Sequence, residues 1–408
     1  MMNSNELRGN NETKIDFLNE EFIRNPFPIY KEIREKDPIY RFLMPNGHLA
    51  WIITKYKEAV EILNDSRFVT NFPDNNQTGE PKLPPHQEII SRNLLSVNPS
   101  DHRRLRRLVQ KAFTPRMVER LRSRIEEITN QLLDRVQHKG EMNLIEDFAF
   151  PLPIIVICEM LGVPIEDQDK FREWSDVIME GVNNPNFSQQ SEQVMIEFVD
   201  YLKELIGKRR NNLQQDLISD LISVEDEGDV LSEHELYALI FVLIIAGHET
   251  TVNLIGNGVL ALLEHPDQKE MLKNQPELIH SAIEEILRYN GPAEVSNIRF
   301  ATEDIEFKGK HIHKGDMLFV ALSSANRDSE QFINPDILDI TRGANNHIAF
   351  GKGVHYCVGA PLARLEGEIA INTLLKRMPE IRLKTDQSLI EWRTGMIIRG
   401  VKEIPLLF

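Results

Sequence analysis

The stretch Phe350-Gly351-Lys352-Gly353-Val354-His355-Tyr356-Cys357-Val358-Gly359-Ala360-Pro361-Leu362-Ala363-Arg364 puts one cysteine in a glycine-rich loop directly ahead of a helical pattern. From Ala360 to Met378 apolar residues recur at helical spacing, with Leu362, Leu365, Ile369, Leu374 and Leu375 on or near one stripe. Cys357 therefore lies just outside a helix N-terminus, where free N–H groups and the positive end of the helix dipole favour a thiolate. A thiolate held this way is a soft metal ligand. Gly353 and Gly359 let the backbone turn and approach a flat ligand where a Cβ would clash. A lone cysteine is more often a small buried hydrophobe. The flanking phenylalanine, the glycines and the helix argue for the ligand.

Around this loop the chain has the composition of a soluble globular protein. It has 408 residues, 41% hydrophobic and 27% charged, enough to bury a large cofactor completely. Met1 to Lys14 is polar, so no signal peptide or membrane anchor is expected there, and the apolar run Leu236 to Ala246 is too short to span a bilayer. With Cys158 and Cys357 alone, a disulfide framework is not expected and a cytoplasmic location is. The net charge is −16, yet Arg103, Arg104, Arg106, Arg107, Lys111, Arg116, Arg120, Arg122 and Arg124 cluster against only Asp101 and Glu119. No nucleic-acid motif accompanies them, so the cluster reads as a solvated helix face or a docking patch for an acidic protein.

No repeat or linker divides the sequence. One domain over 1–408 is expected, with about 1–21 a poorly ordered extension. Pro38 to Thr54 reads as a hairpin turned at Pro45-Asn46-Gly47. Helical patterns cover Lys55–Asn64, Asp101–Ala112, Pro115–Gln137 and Pro151–Leu161, and residues 70–100 and 181–190 look irregular. Ser232-x-x-Glu235 is a capping box opening a helix that runs to His265-Pro266, roughly 48 Å at 1.5 Å per residue. Its first half is apolar all round, so it threads the core. Pro276 opens a further helix that Asn290-Gly291-Pro292 stops. Ser296–Ala301, Ile305–Ile312, Met317–Ser323 and Glu391–Leu407 read as extended. The fold class is mainly α with a minor β region.

Ala246-Gly247-His248-Glu249-Thr250-Thr251 is expected to interrupt the core helix at mid-length. Glycine costs about 1 kcal/mol inside a helix, and a buried carboxylate costs more unless paired or wet. The Thr250 hydroxyl can turn onto the Ala246 carbonyl, loosening one turn and opening a pocket. Glu285-x-x-Arg288 sets an acid and a guanidinium on one helix face, which taken alone is an ordinary ion pair.

Phe350-x-x-Gly353-x-x-x-Cys357-x-Gly359 resembles the haem-ligand loop of the cytochromes P450, the haem-thiolate monooxygenases. The resemblance extends from about residue 22 to the end and is closest to the soluble bacterial members. It implies the P450 fold, with haem b (iron protoporphyrin IX) ligated by Cys357 and seated against Phe350 and Gly359. His102, Arg106, Arg299 and His355 match positions that contact the haem propionates. Ala246 and Gly247 match the dioxygen site, where Thr250 hydrogen-bonds oxygen and Glu249 feeds protons. Glu285 and Arg288 match a structural lock closed by Arg342. Leu94 in the loop 85–97, Val242, Ile245, Ala246, Val295, Met396 and Ile397 match substrate-lining positions, nearly all apolar, which suits a lipophilic substrate. The family's substrates include macrolides and other polyketides, steroids, terpenoids and fatty acids.

With O2 as co-substrate, electrons would come from NAD(P)H through a separate ferredoxin or flavodoxin with its reductase. These carriers would dock on Arg103–Lys111 and near Lys352. A monomer binding neither nucleic acid nor membrane is implied. Ser329 stands where many relatives have proline, and His248 fills a variable position. The alternatives are a peroxide-driven oxygenase on the same haem, a haem protein without turnover, and a Cys357 hydrolase using His355 or His347.

Overall fold

The segment from Leu236 to Leu262 has apolar side chains on every face, and the 32-residue helix Glu233–Glu264 accordingly runs through the interior. This computed structural model describes residues 16–17, 19–44, 47–71, 92–171, 173–174, 177 and 189–408. Residues 1–15, 72–91 and 181–188, and Pro45 and Asn46 of the expected hairpin turn, lie outside that set.

The capping box forms as read: Ser232 Oγ accepts from the Glu235 N–H, and Glu235 Oε2 accepts from the Ser232 N–H at 2.8 Å. The helix is long and apolar enough to cross a membrane, but 72% of its most apolar window is buried inside the protein. It packs against the helices Pro151–Leu161, Ile279–Asn290 and Ala360–Arg377, the last beginning just past the cysteine loop. The expected interruption at Gly247 does not occur. Thr250 and Thr251 donate back to the Ala246 and Gly247 carbonyls at 2.7 and 3.0 Å, and the helix continues unbroken.

A five-stranded sheet lies to one side, in the order β1-β2-β8-β5-β3. Its members are β1 (Ile39–Leu43), β2 (Leu49–Ile53), β3 (Phe68–Val69), β5 (Arg299–Ala301) and β8 (Met317–Val320). The hairpin of residues 38–54 pairs Ile39 with Ile53, and β2 runs parallel to β8, so both ends of the chain share this sheet. A three-stranded sheet joins β4 (Glu141–Asn143), β10 (Pro405–Leu407) and β9 (Arg382–Leu383).

Several elements differ from the sequence patterns. Ile305–Ile312 is two strands, β6 (Ile305–Phe307) and β7 (Lys310–Ile312), because Lys308 and Gly309 both adopt positive φ, 50° and 80°, and turn the chain back. Pro115–Gln137 divides at Leu121, whose N–H turns to the Val118 carbonyl three residues back. Residues past Val320 form a short helix, Leu322–Ala325, and of Glu391–Leu407 only the last three residues make a strand. The helices Glu20–Arg24, Phe27–Lys36, Leu217–Ser223 and Pro266–Asn274, and a π-helical turn at Ile145–Ala149, are among the described elements that the patterns did not suggest.

Candidate active site

The cysteine loop turns on two left-handed glycines, Gly351 at φ +72° and Gly353, of which Gly353 is also sterically crowded. Gly353 has φ +71°, and a Cβ there would stand 2.9 Å from the Leu63 carbonyl oxygen and 2.8 Å from Asn64 Oδ1. Gly359, expected to serve the same purpose, has φ −76°; a Cβ on it would only meet Cys357 Sγ at 3.9 Å. Its backbone is one that any residue adopts. The Cys357 N–H donates to the Phe350 carbonyl at 2.9 Å and closes the loop. Burial pushes the Cys357 thiol up, while the Gly359 and Ala360 N–H groups at the helix start, and the Arg106 and Arg364 guanidiniums, push it down. Burial prevails over the helix terminus, so a thiolate here calls for a metal cation competing for its proton.

Four basic side chains from three distant segments converge beside this loop. Asn98 caps the helix Pro99–Ala112 by accepting from the Ser100 and Asp101 N–H groups, which fixes His102 and Arg106 one turn apart. The His102 and His355 rings lie 4.0 Å apart, centroid to centroid. Arg299, on β5, is buried and donates to the Phe68 carbonyl at 3.2 Å. Burial, with Arg106 and Arg299, pushes His102 down to about 4; burial, then His102, Arg299 and Arg106, pushes His355 down to about 3. Burial alone lowers Arg299 to about 10 and also lowers Arg106, against the pull of Cys357. His102 Nε2 and Arg299 Nε are buried with no hydrogen-bond partner among the described residues. Two guanidiniums and two imidazoles with orphaned buried donors fit a dianionic guest, and haem with its two propionates is such a guest beside a cysteine. A cleft of about 650 Å³ opens there, with His102, Arg106, Gly353 and Tyr356 on its walls.

The middle of the core helix presents the other face. Ala246 and Gly247 are exposed although the helix is buried on both sides of them, and Thr250 is half-buried. Glu249 is 6% exposed, with Arg393 Nη1 3.7 Å from its Oε1. That arginine, which sequence reasoning missed, links the acid to a side chain with a solvent-facing end. The substrate-lining candidates divide between two apolar clusters. Leu94, Val242 and half-buried Ile245 belong to the large one, while Val295 and half-buried Met396 pack with Tyr30 and Phe42; Ile397 is exposed.

Glu285 and Arg288 meet in a bidentate pair at 2.7 Å with neither side chain exposed. Arg342 Nε, Asn345 Nδ2 and the Asp339 N–H each add a bond to the Glu285 carboxylate at 3.0 Å. Arg288 also reaches the Asn326, Pro335 and Ile337 carbonyls at 2.7–3.1 Å. A second anchor beside it was not read from the sequence. Glu284 receives Arg364 at 2.6 and 2.9 Å and His347 at 3.1 Å. Burial pulls Glu284 upward, but Arg364 and His347 outweigh it and hold the acid at about 2. Arg364 covers the Phe350 ring at 4.5 Å, so this anchor clamps both ends of the cysteine loop.

The basic patch is less open than its sequence suggests. Arg104 pairs with Asp229 and Glu235, and Arg107 and Lys111 pair with Asp226. Arg103, Arg116, Arg120 and Lys352 are exposed and form no ion pair among the described residues. His355 stacks on His102, His347 serves Glu284, and neither hydrogen-bonds Cys357, which removes the hydrolase dyad.

A family model described as Cytochrome P450 matches residues 18–387. A cytochrome P450 of Bacillus subtilis strain 168 is 45% identical over 385 residues, covering 94% of each chain. Among solved structures, the bacillaene polyketide synthase cytochrome P450 PksS of Bacillus subtilis 168 superposes with a TM-score of 0.91 at 42% identity, over 96% of this chain and 99% of that one. P450BioI, solved in complex with an acyl carrier protein ligated to hexadec-9Z-enoic acid, gives a TM-score of 0.88 at 40% identity, over 95% and 99%.

Proposed function

This chain belongs to the cytochrome P450 family of haem-iron monooxygenases, and on that premise we propose that Cys357 is its axial ligand and a long apolar acyl or polyketide molecule its substrate. The observation that carries the site is the meeting of buried His102 and Arg299 with half-buried Arg106 and His355 beside the cysteine loop, where His102 Nε2 and Arg299 Nε have no hydrogen-bond partner among the described residues. Bound haem supplies the activation of O2 that puts one oxygen atom into a C–H bond and reduces the other to water, with two electrons and two protons consumed. The four basic groups would hold its propionates. Phe350 and the Glu284–Arg364 anchor fix the loop that would receive it, while Glu285, Arg288 and Arg342 keep the segment before that loop in place.

Thr250 and Glu249 handle the protons. The Thr250 hydroxyl donates to the Ala246 carbonyl, which leaves its oxygen lone pairs to accept a hydrogen bond. Glu249, buried yet 3.7 Å from a partly solvated arginine, is the acid that resupplies it. Ala246 and Gly247 leave space for a diatomic ligand, and Val242, Ile245, Leu94, Val295, Met396 and Ile397 exclude water around the substrate. Thr250→Ala should keep consuming reductant while product per electron falls at least about tenfold, the balance leaving as peroxide. Product and peroxide yields per NAD(P)H oxidised measure this, and full coupling in the variant would remove the role.

The substrate class rests on the apolar candidates and on two similar proteins, one tied to polyketide synthesis and one bound to an acyl-loaded carrier protein. In this reading the enzyme is a cytoplasmic monomer fed from NAD(P)H through a ferredoxin or flavodoxin and its reductase. The docking face centres on Arg103 and Lys352, beside exposed Val354 and Tyr356, because neighbouring acids neutralise Arg104, Arg107 and Lys111. Arg103→Glu with Lys352→Glu should slow reduction by an acidic carrier about tenfold at low salt, with the deficit shrinking as ionic strength rises. Stopped-flow reduction rates that do not change would move the docking face elsewhere. The reduced carbonyl-complex spectrum of the purified protein tests the whole assignment: a thiolate signature supports it, and a histidine-type or absent signal overturns it.

A further inference from the structure

The β6–β7 hairpin carries a chemistry that oxygen insertion does not use. Ile305, Phe307 and Ile312 turn inward and are buried with Trp51 and Leu318. Period-two alternation therefore sends Glu306 and His311, paired across the hairpin, to the outer face. One step beyond the strand ends, Asp304 and His313 face each other, with His313 Nδ1 3.6 Å from Asp304 Oδ1. The His311 and His313 rings are 4.4 Å apart at 78°. One donor atom from each of Asp304, His311 and His313 lies within 4.8 Å of the others, a convergence of three such ligand types found nowhere else among the described residues.

Separate cross-strand ion pairs would account for each acid–imidazole contact. Alternation along the strand also sets His311 and His313 on one face, so two imidazoles and a carboxylate present their donor atoms to the same point. We propose that Asp304, His311 and His313 form a surface site for a divalent transition metal of the Zn2+ class, with Glu306 orienting His311 through Nδ1 at 2.5 Å. Two imidazole nitrogens and one carboxylate suit Zn2+, Ni2+ or Cu2+ and disfavour Mg2+ or Ca2+. Ligand bonds of about 2.0–2.1 Å in a tetrahedral site set donors about 3.4 Å apart, so side-chain rotation of about 1 Å completes it. Part of the shell is already fixed, since the Lys314 N–H donates to Asp304 Oδ1 at 2.8 Å and the His313 N–H to Asp316 Oδ2 at 3.1 Å. The metal would close the open end of a hairpin that begins four residues after the end of β5, the strand bearing Arg299.

Calorimetric titration of the untagged, chelator-washed holoprotein with Zn2+ tests the site. One equivalent should bind in the micromolar range, and His311→Ala or His313→Ala should each weaken binding at least about tenfold. Both residues are exposed, so neither change threatens folding, and His280→Ala at an exposed histidine elsewhere should leave the titration unchanged. With Cu2+ as probe, paramagnetic resonance should show coupling to two nitrogens that the double variant loses. Absence of saturable binding, or equal binding in the hairpin variants, overturns the site.

Discussion

Cys357→Ala should abolish monooxygenase turnover, a loss of at least about a thousandfold or about 4 kcal/mol of barrier, and erase the thiolate signature of the reduced carbonyl complex. The sulfur has no substitute within the loop. The two nearby imidazoles with ligating chemistry are committed elsewhere, His355 against His102 and His347 to Glu284. Residual haem would be held by the basic cluster alone and lack the electron donation a thiolate provides. Cys158→Ala is the control, because that cysteine is fully buried in the core and burial pushes its thiol up to about 12. It should cost some packing stability and leave the spectrum unchanged. Retention of the thiolate signature in Cys357→Ala, or its loss in Cys158→Ala, would reassign the ligand.

What the sequence disclosed follows from the range over which each signal acts. The cysteine loop, the capping box of Ser232 and Glu235 and the Thr250-to-Ala246 bond lie within a few residues, so local spacing decides them. The Lys308-Gly309 turn is equally short, but lysine is an unusual first residue for it, and the apolar run concealed the hairpin. The interactions between remote segments were the illegible ones. Glu284 and Arg364 are 80 residues apart, and Arg104 lies 125 and 131 residues from the two acids that neutralise it. Arg393 near Glu249 belongs with them, since nothing along the chain indicates which of many arginines faces a buried acid. Charge counts over a window describe a patch only until the opposing surface folds against it.

Glu285→Gln should destabilise the protein by about 3–5 kcal/mol, the range for removing one partner of a buried ion pair, and deplete haem-loaded protein on expression. The change keeps the shape and removes the charge that two guanidiniums share, one fully buried and one nearly so. The geometry aggravates the loss. Oε1 accepts from Arg288 Nη2 and the Asp339 N–H, while Oε2 accepts from Arg288 Nε, Arg342 Nε and Asn345 Nδ2. Whichever oxygen becomes an amide NH2, at least two donors are left facing a donor. Arg288 would keep its three carbonyl partners, so the helix should survive while residues 333–345 lose their tether. Urea unfolding read at tryptophan and at the haem separates the two, with the haem transition moving to lower denaturant first. A variant within about 1 kcal/mol of the parent would show that the backbone carbonyls alone hold this segment.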